Sequence, residues 1–355
     1  MIRQRFIRLR FTQLRYLIGA VALVGGASFA DPLPAPDIAL MHAADPNETP
    51  AACRVGDLSV MTYNVAGLPW PLAKKPAQAL HAIGERLALM RARGCAPAVA
   101  VLQEAFSRNA KAIAARAGYP YVVEGPYLRT GTAPKGVKRN WMLGETAGTP
   151  VDSGLMVLSE LPVLDVKRAA FPEGACAGLD CLAAKGVVLV TVQLGNGRKV
   201  MVADTHFNSK GASRAPASET FAAYRRQTEF LASFIAANRQ PGVPVVIAGD
   251  FNRGQRPNRT AALDAAIGRL GGEPEADALR RWLTKDAAAP LARSADAETI
   301  VHRARDMQFT LDGTGDGAGP TLVPAGADIP FGTEPGGAML SDHIGYTIRY
   351  RYSAS

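Results

Sequence analysis

The chain carries 355 residues, 48% of them hydrophobic and 20% charged, which supplies an ample core and excludes a disordered tail. Its formal charge of +9 points towards nucleic acid at first sight. Five arginines, however, fall within the first 15 residues, and without them 35 basic residues face 31 acidic ones, a net +4 that no longer argues for such a partner.

That arginine-rich start is followed by the apolar or small run Tyr16 to Phe29 and by Ser28-Phe29-Ala30, a small-x-small cleavage pattern. Residues 1–30 read as an export signal, which implies a periplasmic or extracellular protein. Residues 31–52 hold five prolines and no periodicity, the composition of an extended linker. A domain covering residues 53–355 then begins at Cys53. Four cysteines in an exported chain imply disulfides. Cys53 and Cys95 each precede an expected strand and so pair at one sheet edge, which leaves Cys176 and Cys181 to close a small loop.

Leu58 to Asn64 (LSVMTYN) alternates like a strand, and Gly67-Leu68-Pro69-Trp70-Pro71 forces a loop after it. From Pro76 to Gly94 the residues Leu80, Ile83, Leu87 and Met90 share one helical face. Pro97 to Glu104 (PAVAVLQE) reads as a buried strand and Asn109 to Ala117 as a helix. Tyr127 to Val151 lacks a period and is expected to be a long surface excursion. Gly154 to Ser159, Gly186 to Leu194 and Lys199 to His206 read as strands, the last two joined by a turn at Gly195-Asn196-Gly197. A helix is expected over Ala217 to Ala237. The run Val245 to Asn252 (VVIAGDFN) is a strand apolar on both faces with an abruptly polar end. A helix over Thr260 to Leu270 follows, then an alanine-rich, weakly patterned segment to Ala297. Asp306 to Leu311 and Ile344 to Tyr350 read as the last strands, with the Gly-rich loop Gly313 to Gly319 between them. Hairpins mixed with strand-helix-strand units predict mixed sheets with helices outside.

Polar groups recur where these strands stop: Asn64, Glu104, His206, Asp250 with Asn252, and Asp342-His343. On an extended backbone Asp250 and Asn252 point the same way, with Phe251 turned into the core. Alone, each is an ordinary strand end capped by a turn residue. Together they are what a cleft at the strand ends of a layered α/β protein produces. Glu104, Asn64, Asp250 and Asn252 offer oxygen only, a set suited to a hard cation such as Mg²⁺ or Mn²⁺ rather than to zinc. Beside it, one histidine can take a proton from water while the other, charged, steadies an anion, the equipment for hydrolysing a phosphoester.

The blocks TYN (Thr62 to Asn64), LQE (Leu102 to Glu104), SGLMVLS (Ser153 to Ser159), THFN (Thr205 to Asn208), GDFN (Gly249 to Asn252) and SDH (Ser341 to His343) resemble, in order and spacing, the endonuclease/exonuclease/phosphatase superfamily. The resemblance implies a DNase I-like α/β (α+β) fold, a four-layer α-β-β-α sandwich of two mixed sheets flanked by helices. It also implies that Glu104 and Asn64 hold Mg²⁺, with Asp342 near the metal. By the same resemblance Asp250 and Asn252 position water or phosphate, His343 is the general base, His206 binds phosphate oxygens, and Asp306 orients His343.

The tract Phe171 to Val188, with Cys176, Cys181 and Lys185-Gly186, and Asn64 followed by Gly67-Leu68-Pro69, resemble neutral sphingomyelinases. A sphingomyelinase-like phospholipase C acting on phospholipid head groups is therefore expected. Trp70 and Trp141-Met142-Leu143 are candidates to rest in a lipid surface, although no aromatic hairpin of the kind secreted sphingomyelinases use is evident. The alternatives are a secreted nuclease tracking phosphates with Lys135, Lys138, Arg139, Arg214, Arg225 and Arg226, a phosphatase of soluble phosphomonoesters, and a binding protein that kept the fold without the chemistry. No segment points to a protein partner, and a monomer is expected.

Overall fold

Alternation along the strands decides the layering. The computed structural model describes residues 53–354 apart from residue 54 and segments 69–76, 130–132, 134, 138, 274–276, 288 and 315–317; the expected export signal, the linker and Trp70 lie outside the described residues. Strand β1 (Leu58–Asn64) sends Val60 into one core and Met61 into another. The same parity runs through β2 (Val99–Gln103), where Val99 and Val101 face one way and Ala100 and Leu102 the other. In the second sheet β7 (Lys199–His206) and β8 (Val245–Asp250) put Val202 and Val246 in the shared core and Met201 and Ile247 outside it. A chain apolar on both strand faces has to be covered on both, and here it is.

Two sheets result. Together with β3 (Tyr121–Glu124), β4 (Met156–Ser159), β10 (Thr321–Phe331) and β11 (Gly345–Ser353), the first has the order β10-β11-β1-β2-β4-β3. With β5 (Val163–Ala170), β6 (Gly186–Gln193) and β9 (Asp306–Leu311), the second has the order β5-β6-β7-β8-β9. Both are mixed: β1 runs parallel to β2, and β7 to β8, while their other pairings are antiparallel. Helices α1 (Ala77–Ala92) and α2 (Arg108–Ala117) cover the first sheet through Leu80, Ile83, Leu87 and Ile113. Helices α3 (Ala217–Asn238) and α4 (Pro257–Arg269) cover the second through Tyr224, Leu231, Leu263 and Ile267. The expected four-layer sandwich is present.

The sheet edges depart from the sequence expectation. Strands β3, β5 and β10 were not expected, and all three are edges. Edge strands are half-exposed, short or broken by proline, so they carry a diluted apolar signal. Strand β5 bears Asp165, Lys167 and Arg168, and β10 carries Pro324, Gly326 and Pro330 with register shifts at Pro324/Gly326 and Asp328/Phe331. The alanine-rich segment folds in part into α5 (Ala278–Lys285), N-capped by Asp277, and α6 (Ala295–Arg303), N-capped by Ser294. Among its described residues, the expected excursion contains a single 3₁₀ turn, Trp141–Leu143.

Both disulfides pair as expected, Cys53 with Cys95 and Cys176 with Cys181. Cys53–Cys95 closes 42 residues at the starts of β1 and β2, the ends far from Asn64 and Glu104. A Cys53→Ala/Cys95→Ala variant should therefore lose about 2–4 kcal/mol of unfolding free energy in denaturant titrations. Its turnover per folded molecule should be unchanged; a matching loss of kcat would show that the staple reaches the site.

Candidate active site

The inner face of each sheet turns polar at one end. Parity carries Val60 on to Thr62 and Asn64, Val202 on to Asp204 and His206, and Val246 on to Ala248 and Asp250. Because β1 and β2 are parallel, as are β7 and β8, these ends lie on one side of the sandwich. One layer down, Gln103 Nε2 donates to Asp204 Oδ1 across the sheets at 2.7 Å, and Gln308 Nε2 donates to Val60 O at 3.1 Å. Burial pushes the Asp204 carboxyl far above its ordinary value, only partly offset by Gln103. The two sheets are thus tied directly beneath the site.

Asn64 is the hub of the cluster. Its Nδ2 donates at 3.1 Å both to Glu104 Oε1 and to Asp250 Oδ2, and its Oδ1 accepts from Ala66 N. It therefore meets the carboxylates with nitrogen, where a metal ligand had been expected to offer oxygen. Glu104 stands one residue beyond β2 with a left-handed backbone, φ +57°, a conformation that costs a non-glycine residue about 1 kcal/mol or more and that concentrates at functional sites. Burial pushes its carboxyl up, against the lowering effect of Lys185 and the Asn64 bond. Asp250 is desolvated too, but His343, His206 and two hydrogen bonds outweigh burial and hold it low.

The strand ends at Asp250, earlier than the sequence suggested. Asn252 adopts φ +46°, its N–H bonds Asp250 Oδ1 at 2.9 Å, and its carboxamide donates to Phe207 O at 3.0 Å. The carboxamide is therefore swung towards the His206 loop instead of lying side by side with Asp250. Phe251 is buried, as expected. Gly249 allows β7 and β8 to close up at this point, since a Cβ there would lie 2.0 Å from Thr205 O.

The histidines differ sharply. His343 Nδ1 pairs with Asp306 Oδ2 at 2.7 Å, which leaves Nε2 towards Asp250 Oδ2 at 3.9 Å. Burial works against a charged ring, but Asp306 and Asp250 prevail and raise His343 well above the usual histidine value. His206 Nε2 lies 3.4 Å from Asp250 Oδ2, 3.9 Å from Glu104 Oε1 and 3.1 Å from Lys185 Nζ. Burial, then the Lys185 charge, pushes His206 down to about 3. These directions are the reverse of the expectation, with charge favoured on His343 and disfavoured on His206; Lys185, beside His206, pairs with Asp180 at 2.7 Å.

Asn64, Glu104, His206, Asp250, Asp306 and His343 thus converge, with Asn252 adjoining through Phe207. Asp342 does not join them: it is exposed, its carbonyl accepts from Arg303 at 2.8 Å, and no bond among the described residues links its carboxylate to the cluster. Lys185 was given no role from sequence; its signal is a lysine at the mouth of an otherwise apolar strand, almost wholly buried. Ser341, which the sequence shows only as the first residue of the SDH block, donates through Oγ to Asn64 O at 2.7 Å and accepts from His343 N at 3.2 Å.

Asp250, Asp306 and His343 place one donor atom each within 4.8 Å of one another, which makes them a geometric metal candidate. The Asp306–Nδ1 bond makes that trio a better proton-handling pair than a cage. The Glu104 side suits a hard cation: its carboxylate converges with that of Asp250 on one amide, and both carboxylates offer oxygen.

Residues 61–343 match the model of the Endonuclease/Exonuclease/phosphatase family. Over 309 residues the chain is 26% identical to a Mycobacterium tuberculosis protein named sphingomyelinase, covering 86% of this chain and 55% of that protein. The chain thus spans about half the length of the curated relatives it matches. Among solved structures, a Staphylococcus aureus beta toxin double mutant with bound magnesium ions aligns with TM-score 0.55 at 16% identity, over 83% of this chain and 99% of that one. Sphingomyelinase C from Streptomyces griseocarneus aligns with TM-score 0.54 at 21% identity, with the same coverages. These two likenesses concern the fold, whereas the family model spans every strand end that contributes to the cleft. The chain belongs to the endonuclease/exonuclease/phosphatase family.

Proposed function

We propose that the chain is an exported, Mg²⁺-dependent phosphodiesterase that cleaves a phospholipid head group as a sphingomyelinase-like phospholipase C. The observation that carries this reading is the oriented Asp306–His343 pair facing a buried carboxylate cluster, in a chain whose curated relatives are named sphingomyelinase over most of its length. Two disulfides among the described residues suit an oxidising compartment.

Each residue has work that follows from its contacts. Glu104, with Asp250 beside it, would hold the cation, and Asn64 orients both carboxylates. When bound, Mg²⁺ supplies charge compensation for the phosphate and polarises its oxygens. Asp306 and Asp250 favour a charged His343 ring; a cation held at Asp250 would offset the second of these pulls, and Asp306 then fixes the neutral ring with Nδ1–H towards itself and Nε2 towards the cleft, placed to take the proton of attacking water. Lys185 brings the positive charge that steadies developing negative charge on the phosphate, and His206 and Asp180 hold it in place. Asn252 sets the third side of the phosphate seat.

A lipid surface is favoured over nucleic acid by the disposition of side chains. Leu128, Trp141 and Met142 are 70%, 75% and 67% exposed, the state of residues placed against an apolar phase. Of the basic residues considered for tracking nucleic acid, Arg139 pairs with Glu173, Arg225 with Glu229, and Arg226 bonds Gly174 O. Lys138 lies outside the described residues. Trp141→Ala should weaken sedimentation with sphingomyelin vesicles about tenfold, as loss of one interfacial aromatic does, and leave hydrolysis of a soluble diester intact. Unchanged vesicle binding would remove the excursion from the interface.

A further inference from the structure

Arg259 is 3% exposed; its Nη1 bonds go to backbone carbonyls, and its Nη2 is buried without a hydrogen-bond partner among the described residues. It stands in the first turn of α4, where a cation opposes the helix dipole. Burying a guanidinium there is costly, so its neighbours explain its presence. Its Nη1 donates to Asn208 O at 2.9 Å and to Asn252 O at 2.7 Å, and its plane lies over the Tyr224 ring at 4.4 Å. These carbonyls belong to the residues that close the two parallel strands of the site.

Both loops need such a hold. Asn252 sits in the left-handed region, and its carboxamide shares Phe207 O with Lys185, at 3.0 and 3.4 Å. Asn208 accepts from Ala177 N at 2.9 Å through its side chain and bonds Gln227 Oε1 at 2.7 Å through its backbone N–H, which ties the Cys176–Cys181 loop to α3. One guanidinium nitrogen thus joins the turn after β7 to the turn after β8.

We propose that Arg259 is a positioning residue that fixes Asn252, and through the shared Phe207 carbonyl the Lys185–His206 pair, in the geometry the reaction uses. The kinetic part rests on the phosphodiesterase reading; the mechanical part does not. In Arg259→Met, kcat for bis(p-nitrophenyl) phosphate should fall about thirtyfold with KM within about threefold, the cost of sub-ångström misplacement of a group that acts in the transition state. Arg259→Lys, which keeps a cation with several donors, should recover about a third or more of the wild-type rate. A loss of stability alone would lower the folded fraction and leave kcat per folded molecule unchanged.

Amide hydrogen exchange supplies the readout that needs no turnover. In Arg259→Met the amides of Asn208, Ser209, Asn252 and Arg253 should exchange at least about tenfold faster, while those within β7 and β8 keep their protection. If the wild type hydrolyses no phosphodiester, the functional reading fails and exchange alone decides. Accelerated exchange confined to the two turns upholds the Arg259 hold. Unchanged exchange in those turns, or wild-type kcat in a folded Arg259→Met, overturns it.

Discussion

His343→Ala is expected to lower kcat by about 10³-fold or more, the range reached when a general base is removed together with its charge. The expectation rests on geometry: Nδ1 is committed to Asp306 at 2.7 Å, so Nε2 is the ring nitrogen that faces the cleft. Asp306→Asn should cost less, about 10- to 100-fold, because a carboxamide oxygen can still accept the Nδ1 proton while the charge is lost. The ordering of the two effects is the informative result, measured as kcat at saturating substrate on protein checked for folding by circular dichroism. Equal losses would make Asp306 a direct participant. Wild-type turnover in His343→Ala would remove the base from this position.

Glu104→Gln should produce the second large effect, and it should have two opposite signs. Activity is expected to fall by about 10³-fold because the carboxylate that would hold the cation is gone. Stability without metal should rise. Burial raises the Glu104 carboxyl, so its charged form is more costly in the folded chain than in the unfolded one, and stability drops as pH climbs from the ordinary carboxylate value through the raised one. A neutral isostere removes that loss, as is common where a site carries charge for function. In EDTA, Glu104→Gln should therefore melt above wild type at neutral pH, and Mg²⁺ should raise Tm in wild type only. A variant that melts lower in EDTA, or that still gains from Mg²⁺, would place the cation elsewhere.

The layers were legible because central strands are apolar on both faces, and that signal survives in one sequence. Lys199 to His206 and Leu58 to Asn64 fall where the sequence puts them, and the strand from Val245 starts as expected but stops at Asp250, two residues short of Asn252. Strands β3, β5 and β10 were not legible, since a half-exposed edge with Pro324, Lys167 or Arg168 looks like loop. Within the cleft, Asn64, Glu104, His206, Asp250 and His343 are legible because strand ends are where polar residues interrupt an apolar pattern, whereas Asp306, at the start of its strand, is reached only through the family resemblance. Lys185 and Arg259 are not legible. Their roles depend on burial and on partners distant in sequence: Phe207 and Asn208 were needed before either had a function. Asn252 shows a third limit, because a strand period holds only while the backbone stays extended, and it turned left-handed at that residue.

The most direct measurement is phosphocholine release from sphingomyelin vesicles by the chain from Asp31 onward, in Mg²⁺ and in EDTA, with plasmid DNA incubated in parallel. Release that requires Mg²⁺, disappears in His343→Ala and leaves the plasmid intact is the predicted result. Nicked plasmid with untouched lipid, or release undiminished in EDTA, would contradict it.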